Sequence, residues 1–404
     1  MIRITNKQDC CGCHACASVC ARHSITMHED NEGFLYPVVD ASTCTDCGLC
    51  EKVCPVINQD EPRKPLKVYA AKHEDDEIRM KSSSGGIFTL LAEQIIDVGG
   101  VVFGARFDEF WEVMHDYTET KEGLAAFRGS KYVQSKIGKT YQQAEFFLKA
   151  GRKVMYTGTP CQIAGLKKYL RKEYANLLAV DFVCHGVPSP KVWRMYLDES
   201  IACQNIESNI KSPCAMLRKK FIKKIEFRSK SSGWKNFSFA LSLIQSDGRI
   251  VTFTTMYQSE LYMQSFLYNL TLRQSCFSCS FKKGKNVADI TMGDFWNIDS
   301  IDSSFYDDAG VSLLLVYSEK ALKYLKYNVQ LRSGISYGSV LQGNHALDNS
   351  VIAHPNRNAL FKNIDKKNII NILKNKIQYS FWFRLKRKIK KIYVSWNLIS
   401  SPLY

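Results

Sequence analysis

The feature that most constrains this chain is a doubled cysteine run near its start. Cys10, Cys13, Cys16 and Cys20 are followed by Cys44, Cys47, Cys50 and Cys54, the last with Pro55 behind it. Both runs read C-x2-C-x2-C-x3-C, the spacing of a bacterial two-cluster ferredoxin. In that module three close thiolates wrap one face of a cubane, and the fourth reaches across to the other cluster. The spacing therefore assigns Cys10, Cys13, Cys16 and Cys54 to one 4Fe-4S cluster, and Cys44, Cys47, Cys50 and Cys20 to a second. Zinc is the competing reading, but a zinc site takes four ligands in two pairs rather than two even quartets. A disulfide framework does not suit the clustering, because nine of the 15 cysteines stand before residue 55 at tight spacings. The first run carries Ala21 where the second has Pro55, and Cys11 has no assigned role.

Residues 58–66 are polar, contain two prolines and show no apolar period, so they read as a linker with a boundary near residue 62. No internal repeat is present beyond the doubled motif. From Val68 strand-like and helix-like stretches alternate, which predicts an α/β body. Helices are expected over 87–98, 138–150 and 162–170, and strands over 100–104, 153–157 and 177–183, forming a βαβ unit. Segments 237–244 and 250–255 flank Asp247-Gly248, a dipeptide suited to a hairpin turn. A helix over 257–272, a strand over 311–317 and a helix over 319–327 follow, while 333–365 shows no clear pattern.

The body holds further thiols. Cys161 closes Thr157-Gly-Thr-Pro-Cys161, where a strand meets a helix, and Cys184 ends the next strand before His185-Gly-Val-Pro-Ser189. Both fall at carboxyl ends of neighbouring parallel strands, where α/β proteins place ligands. With the pair Cys276 and Cys279, four thiols from three segments could close a third 4Fe-4S site. The alternative stays open that Cys161 and Cys184 are buried apolar cysteines and the pair binds zinc or nothing. Cys203 and Cys214 read as structural. Lys81-Ser-Ser-Ser-Gly-Gly86 opens a helix with hydroxyls and free N–H groups, which suits a phosphate or pyrophosphate. It also fits a plain serine cap with flexible glycines, and it is not a GxGxxG motif.

Taken in order, Ser82-Ser-Ser-Gly-Gly-Ile-Phe88, Gly129-Ser-Lys-Tyr-Val133, Gly158-Thr-Pro-Cys-Gln162, Cys184-His-Gly-Val-Pro188, Cys276-x2-Cys279 and Ala288-Asp-Ile-Thr-Met-Gly-Asp-Phe295 resemble the coenzyme F420 hydrogenase/dehydrogenase beta-subunit family. The resemblance covers most of residues 66–320. It implies a body that binds FAD beside a 4Fe-4S cluster and exchanges a hydride with an organic substrate. It implies that Cys161, Cys184, Cys276 and Cys279 hold the third cluster. It makes Ser83, Ser84, Gly85, Gly86, Lys131 and Tyr132 the flavin-site candidates and places His185 by the redox centre, where it could act in catalysis or serve structure. Whether coenzyme F420 itself is the substrate is not implied, because the family also includes plant reductases acting on a chlorophyll intermediate and bacterial proteins of unassigned substrate.

The expected architecture is α+β / α/β. A bacterial-type ferredoxin domain over 1–61 joins an α/β flavin- and cluster-binding body over 62–350, and a basic amphipathic tail runs over 351–404. The expected function is an iron-sulfur flavoprotein oxidoreductase, working with a redox partner protein or ferredoxin and a small-molecule substrate. Its rival is a non-catalytic electron-transfer subunit that docks on a separate oxidoreductase. The net charge of +16 favours anionic partners in general. No helix-turn-helix or RNA-binding signature accompanies it, so nucleic acid is not expected. The polar start and the lack of an apolar stretch of ~18 residues make the cytoplasm the expected compartment. In the tail, Phe381, Leu385, Ile389, Ile392 and Trp396 share one helical face, with Arg384, Lys386, Arg387, Lys388, Lys390 and Lys391 around it. That pattern suits either peripheral contact with the inner membrane face or packing on the body or a partner.

Overall fold

The computed structural model describes residues 1–203, 219–245, 247–366 and 368–377. Its strands are β1 (Ile25–Glu29), β2 (Leu35–Val39), β3 (Lys67–His73), β4 (Val101–Phe107), β5 (Val113–Thr118), β6 (Val154–Gly158) and β7 (Leu177–Phe182). They continue as β8 (Ile222–Ser229), β9 (Ser238–Ile244), β10 (Ile250–Met256), β11 (Ile290–Asp294), β12 (Ser312–Val316) and β13 (Val329–Arg332). Eight of these form one sheet in the order β13-β3-β12-β11-β7-β6-β4-β5. The centre, β11-β7-β6-β4, is parallel, and the flanking strands are antiparallel. The body is thus α/β as expected, with β6, the helix Pro160–Leu170 and β7 forming the expected βαβ unit.

Alternation along the central strands supplies two cores, because successive side chains leave opposite faces. Val101, Phe103, Val154, Tyr156, Leu177 and Ala179 face the helices Thr140–Lys149 and Pro160–Leu170. Val102, Met155, Leu178 and Val180 face the helix Ile87–Ile96. The expected hairpin forms as β9-β10, and β8 completes a separate three-stranded sheet.

The head packs on the first of these cores, where Cys11, Cys13, Ala15 and Val53 join the body side chains. Its two cysteine runs repeat one backbone pattern. Gly12 and His14 have φ of 71° and 64°, and Asp46 and Gly48, at the matching places, have 48° and 72°. Such left-handed residues turn successive N–H groups to one side, a concavity that receives anions. In the head, β1 and β2 form a hairpin. Glu32, between them, pairs with the buried Arg357, which ties head to carboxyl-terminal helices.

Two expected helices are shorter than the pattern suggests. The segment 257–272 is helical only over Leu261–Leu267, because Glu260 caps its start and Asn269, at φ 62°, ends it. The segment 319–327 is helical over Glu319–Leu322 and then turns through Asn328 into β13. Residues 333–365 supply helices Tyr337–Gly343 and Arg357–Lys362, and the helix Ile369–Ile377 buries Ile372, Leu373 and Ile377 beside Trp193. The apolar stripe from Phe381 to Trp396, and Cys214, lie outside the described residues. Among the described residues no helix is long and apolar enough to cross a membrane.

Candidate redox site

Cys10, Cys13, Cys16 and Cys54 line one small pocket in the head. Of the second quartet, Cys50 is buried and Cys20 packs beside it, Cys44 is half-buried, and Cys47 is exposed. The body thiols also meet: Cys161, Cys184, Cys276 and Cys279 line a single pocket, and Cys11 joins them there. Cys161 starts the helix after β6 and Cys184 follows β7, so parallel neighbours deliver both to one edge of the sheet. Thr159 Oγ1 stands 3.1 Å from Cys161 Sγ, placed to donate to a thiolate. Among the described residues no three His, Cys, Asp or Glu side chains converge as they would on a single ion.

A sulfur-only donor set is the soft environment that iron-sulfur clusters and zinc select. Burial raises the Cys276 thiol to about 12 and the Cys184 thiol further. Cys161 is raised by its contact with Cys11 and by burial. Such thiols ionise together only when a metal supplies positive charge among them, and four sulfur donors lining one pocket are the donor set a cluster takes.

Beside this pocket lies a cavity of about 730 Å³ at the carboxyl ends of the parallel strands. Its size falls within the roughly 300–1,000 Å³ of cofactor sites. Ala105 of β4, Thr157 of β6, Phe182 of β7 and Met292 of β11 reach it. Ser83, Ser84, Gly86, Lys131, Tyr132, Cys184 and His185 all line it. Gly85 does not line it but sits behind, donating its N–H to Ser312 Oγ at 2.9 Å. A Cβ at Gly85 would stand 2.4 Å from the Ala71 carbonyl oxygen, so its small size serves packing under the site.

The cavity has a polar end and an apolar wall. Gly86, at φ 86°, opens the helix Ile87–Ile96 without a side-chain cap, leaving its first N–H groups for an anion. Ser83 Oγ accepts from Ser130 N at 2.8 Å, which joins the serine run to the Gly129 turn. Lys131 Nζ donates to the Phe127 and Arg128 carbonyls at 3.1 and 3.2 Å, and burial lowers its pKa to about 7. Tyr132 stacks on Phe266 with centroids 4.6 Å apart. His185 meets Phe266 edge-on, and its Nε2 donates to Asn269 Oδ1 at 2.7 Å. Burial holds His185 below the usual histidine range.

His115 carries no motif in the sequence, yet it forms part of the cavity wall. Its Nε2 donates to the Thr157 carbonyl at 2.9 Å, which leaves Nδ1 to accept from Ser135 Oγ at 2.9 Å. Gln162 Nε2 donates to the same hydroxyl, and Gln162 Oε1 accepts from Thr159 N. Burial lowers His115 to about 4, so it stays neutral. Only the T-P-C-Q order hints at this network, through its resemblance to a helix start with glutamine at the third position.

Comparison with known proteins identifies the family of the head and of the body. Residues 68–141 match the family model "Coenzyme F420 hydrogenase/dehydrogenase, beta subunit N-term", and residues 151–332 match its C-terminal counterpart. The chain belongs to the coenzyme F420 hydrogenase/dehydrogenase beta-subunit family. Residues 9–58 match a 4Fe-4S dicluster domain, so the member carries an iron-sulfur head fused to the family's body. A subunit of the F(420)H(2) dehydrogenase of Methanosarcina mazei is 26% identical over 165 residues, covering 38% of this chain and 46% of that protein. Coenzyme F420-dependent sulfite reductase of Methanocaldococcus jannaschii is 26% identical over 169 residues, covering 39% of this chain and 25% of that protein. The chain therefore spans half or less of the length of these relatives. The F420-reducing NiFe hydrogenase complex of Methanosarcina barkeri, solved as a xenon derivative, aligns with a TM-score of 0.42 and 18% identity, over 79% of this chain and 91% of that one.

Proposed function

We propose that this protein is an iron-sulfur flavoprotein oxidoreductase that carries electrons between a ferredoxin-type head, a third 4Fe-4S cluster and FAD. The observation that carries the proposal is a shared wall: Cys184, His185, Gly186 and Val187 line both the four-thiol pocket and the large cavity. Cys161, Cys184, Cys276 and Cys279 would hold the third cluster, and the two head quartets the other two. Ser83, Ser84, Gly86 and the start of the helix Ile87–Ile96 would receive the phosphates of FAD, with Lys131 as their counter-charge. Tyr132 and Phe266 offer the ring system an aromatic wall. Bound there, FAD converts between the single electrons that clusters carry and the two-electron hydride of an organic substrate.

The chain's own residues then set the conditions. Asn269 holds the His185 ring at the boundary between thiols and cavity, where it can relay a proton to a bound substrate. His115, neutral and locked by Ser135 and Thr157, presents a fixed dipole rather than a charge. The names of the curated relatives make coenzyme F420 the first small molecule to test. One of those relatives is itself part of a larger dehydrogenase, which favours a second reading in which this chain relays electrons to a separate catalytic chain.

The test is anaerobic. Protein reconstituted with iron, sulfide and FAD is reduced by limiting dithionite, and bound flavin should bleach. Oxidised coenzyme F420 and a panel of other organic acceptors are then added, and one should restore the flavin colour. A protein that neither retains nor takes up flavin contradicts the oxidoreductase reading and leaves the electron relay.

A further inference from the structure

Cys11, outside the doubled motif and unassigned by its spacing, lines both the head pocket of Cys10, Cys13, Cys16 and Cys54 and the body pocket of four thiols. It is buried in one hydrophobic cluster with Cys13, and Cys161 packs against that cluster. The contact is built rather than incidental. Cys161 and Gly165 lie four residues apart on the helix Pro160–Leu170, hence on one face. A Cβ at Gly165 would stand 2.8 Å from Cys13 Cβ and 3.0 Å from Cys13 Sγ, so the glycine lets the head's ligand loop settle onto that face.

Arg273 fastens the loop from the other side. Its side chain is fully buried, donates from Nε to the Cys10 carbonyl at 2.8 Å, and reaches Cys10 Sγ from Nη2 at 3.6 Å. Its own carbonyl accepts from Cys276 N at 3.0 Å, so one residue grips a ligand of each site. Gly12, between Cys11 and Cys13, has φ 71°, and a Cβ there would meet Arg273 Nη1 and Gln134 Nε2 at 2.9 Å. Gln134 Nε2 in turn donates to the Cys11 carbonyl at 3.1 Å. Of the second quartet, Cys47 is exposed and Cys20 and Cys44 are half-buried, so that site lies nearer the surface.

We infer that Cys11 is the electron bridge between head and body: the site of Cys10, Cys13, Cys16 and Cys54 delivers electrons inward across Cys11 to the four body thiols, while the site of Cys44, Cys47, Cys50 and Cys20 is the outer port for a redox partner protein. This rests on the three-cluster reading above. One electron crosses at a time, reducing the body site and oxidising the head site; no bond forms or breaks and no proton moves at Cys11. Arg273 and Gly165 are positioning residues that fix the bridge.

The experiment compares full-length wild type with Cys11→Ala, Cys11→Ser and Gly165→Ala, each reconstituted anaerobically with iron, sulfide and FAD. Iron, sulfide and flavin contents are measured first. Reduced methyl viologen, a one-electron donor, is then mixed in a stopped-flow device, and cluster and flavin bleaching are followed separately. We expect contents to be unchanged and flavin bleaching to slow roughly tenfold in Cys11→Ala. Cys11→Ser should recover part of the rate, and Gly165→Ala should be slow like Cys11→Ala. Intact contents with an unchanged flavin phase in Cys11→Ala and Gly165→Ala overturn the bridge alone. Loss of one cluster's iron in Cys11→Ala makes it a ligand instead, which also overturns the bridge. A wild type holding only the head clusters overturns both the bridge and the three-cluster reading.

Discussion

Lys131 faces the cavity while its ammonium donates to the backbone carbonyls of Phe127, Arg128 and Gly129, and burial accounts for its lowered pKa of about 7. An anionic group bound beside it would favour the ammonium form, so FAD should bind more tightly below pH 7 and lose affinity as pH rises through it. Lys131→Met should weaken FAD binding by roughly tenfold to a hundredfold, the worth of a charged hydrogen bond, and flatten that pH dependence. Titration of flavin fluorescence at several pH values checks both effects. His115 acts on stability. Unfolded, its ring takes a proton near 6.5, but in the fold only near 4, so its stabilisation is complete above pH 6.5 and is lost as pH falls towards 4. The full loss amounts to roughly 3 kcal/mol. His115→Gln should make denaturation midpoints less sensitive to pH between 6.5 and 5, with iron content checked to be constant. Of these two residues only Lys131 is legible in the sequence, because it sits in a Gly-Ser-Lys-Tyr segment; His115 lies mid-strand in β5, where a lone histidine carries no signal.

At the scale of elements, the serine-glycine segment shows how a local pattern can carry two jobs. Gly86 adopts the left-handed start that frees the N–H groups of its helix, in keeping with the sequence pattern. Gly85 has no such φ, and its need for a bare Cα comes from β3 and β12, whose backbones lie 2.4 and 2.8 Å from where a Cβ would be. Gly85→Ala should therefore cost about 1–3 kcal/mol through overpacking and lower the melting temperature by several degrees. Gly129→Ala, where a Cβ would meet nothing within 4 Å, should cost less, from its φ of 85° alone. Thermal melts of the two variants beside wild type check the order. Strands β4, β6 and β7 are readable because their first halves are buried on both faces and mostly apolar. The apolar spacing runs on to residue 272, but the helix ends at Leu267 because the backbone turns left-handed at Asn269, and Leu272 bridges Pro188 instead. Edge strand β13 is short and half-exposed, so it leaves too little alternation to stand apart from the preceding helix.

Across the whole molecule, the head and body are joined where thiols, not merely surfaces, meet. The head is plain from the cysteine spacing, because that spacing is fixed by the cubane and survives in one dimension. The body's four thiols are far weaker in sequence, since Cys161, Cys184, Cys276 and Cys279 come together only when β6 and β7 pair in parallel and the 276–279 turn folds back over their ends. The central claim, three clusters in one chain, is therefore tested most directly by counting metal. Anaerobically reconstituted wild type should contain about 12 iron and 12 sulfide per chain, three complete cubanes. Cys161→Ser and Cys279→Ser should each fall to about two-thirds of that and keep the electron paramagnetic resonance signal of the head. Wild type already at about two-thirds, or zinc in place of iron, would contradict three clusters.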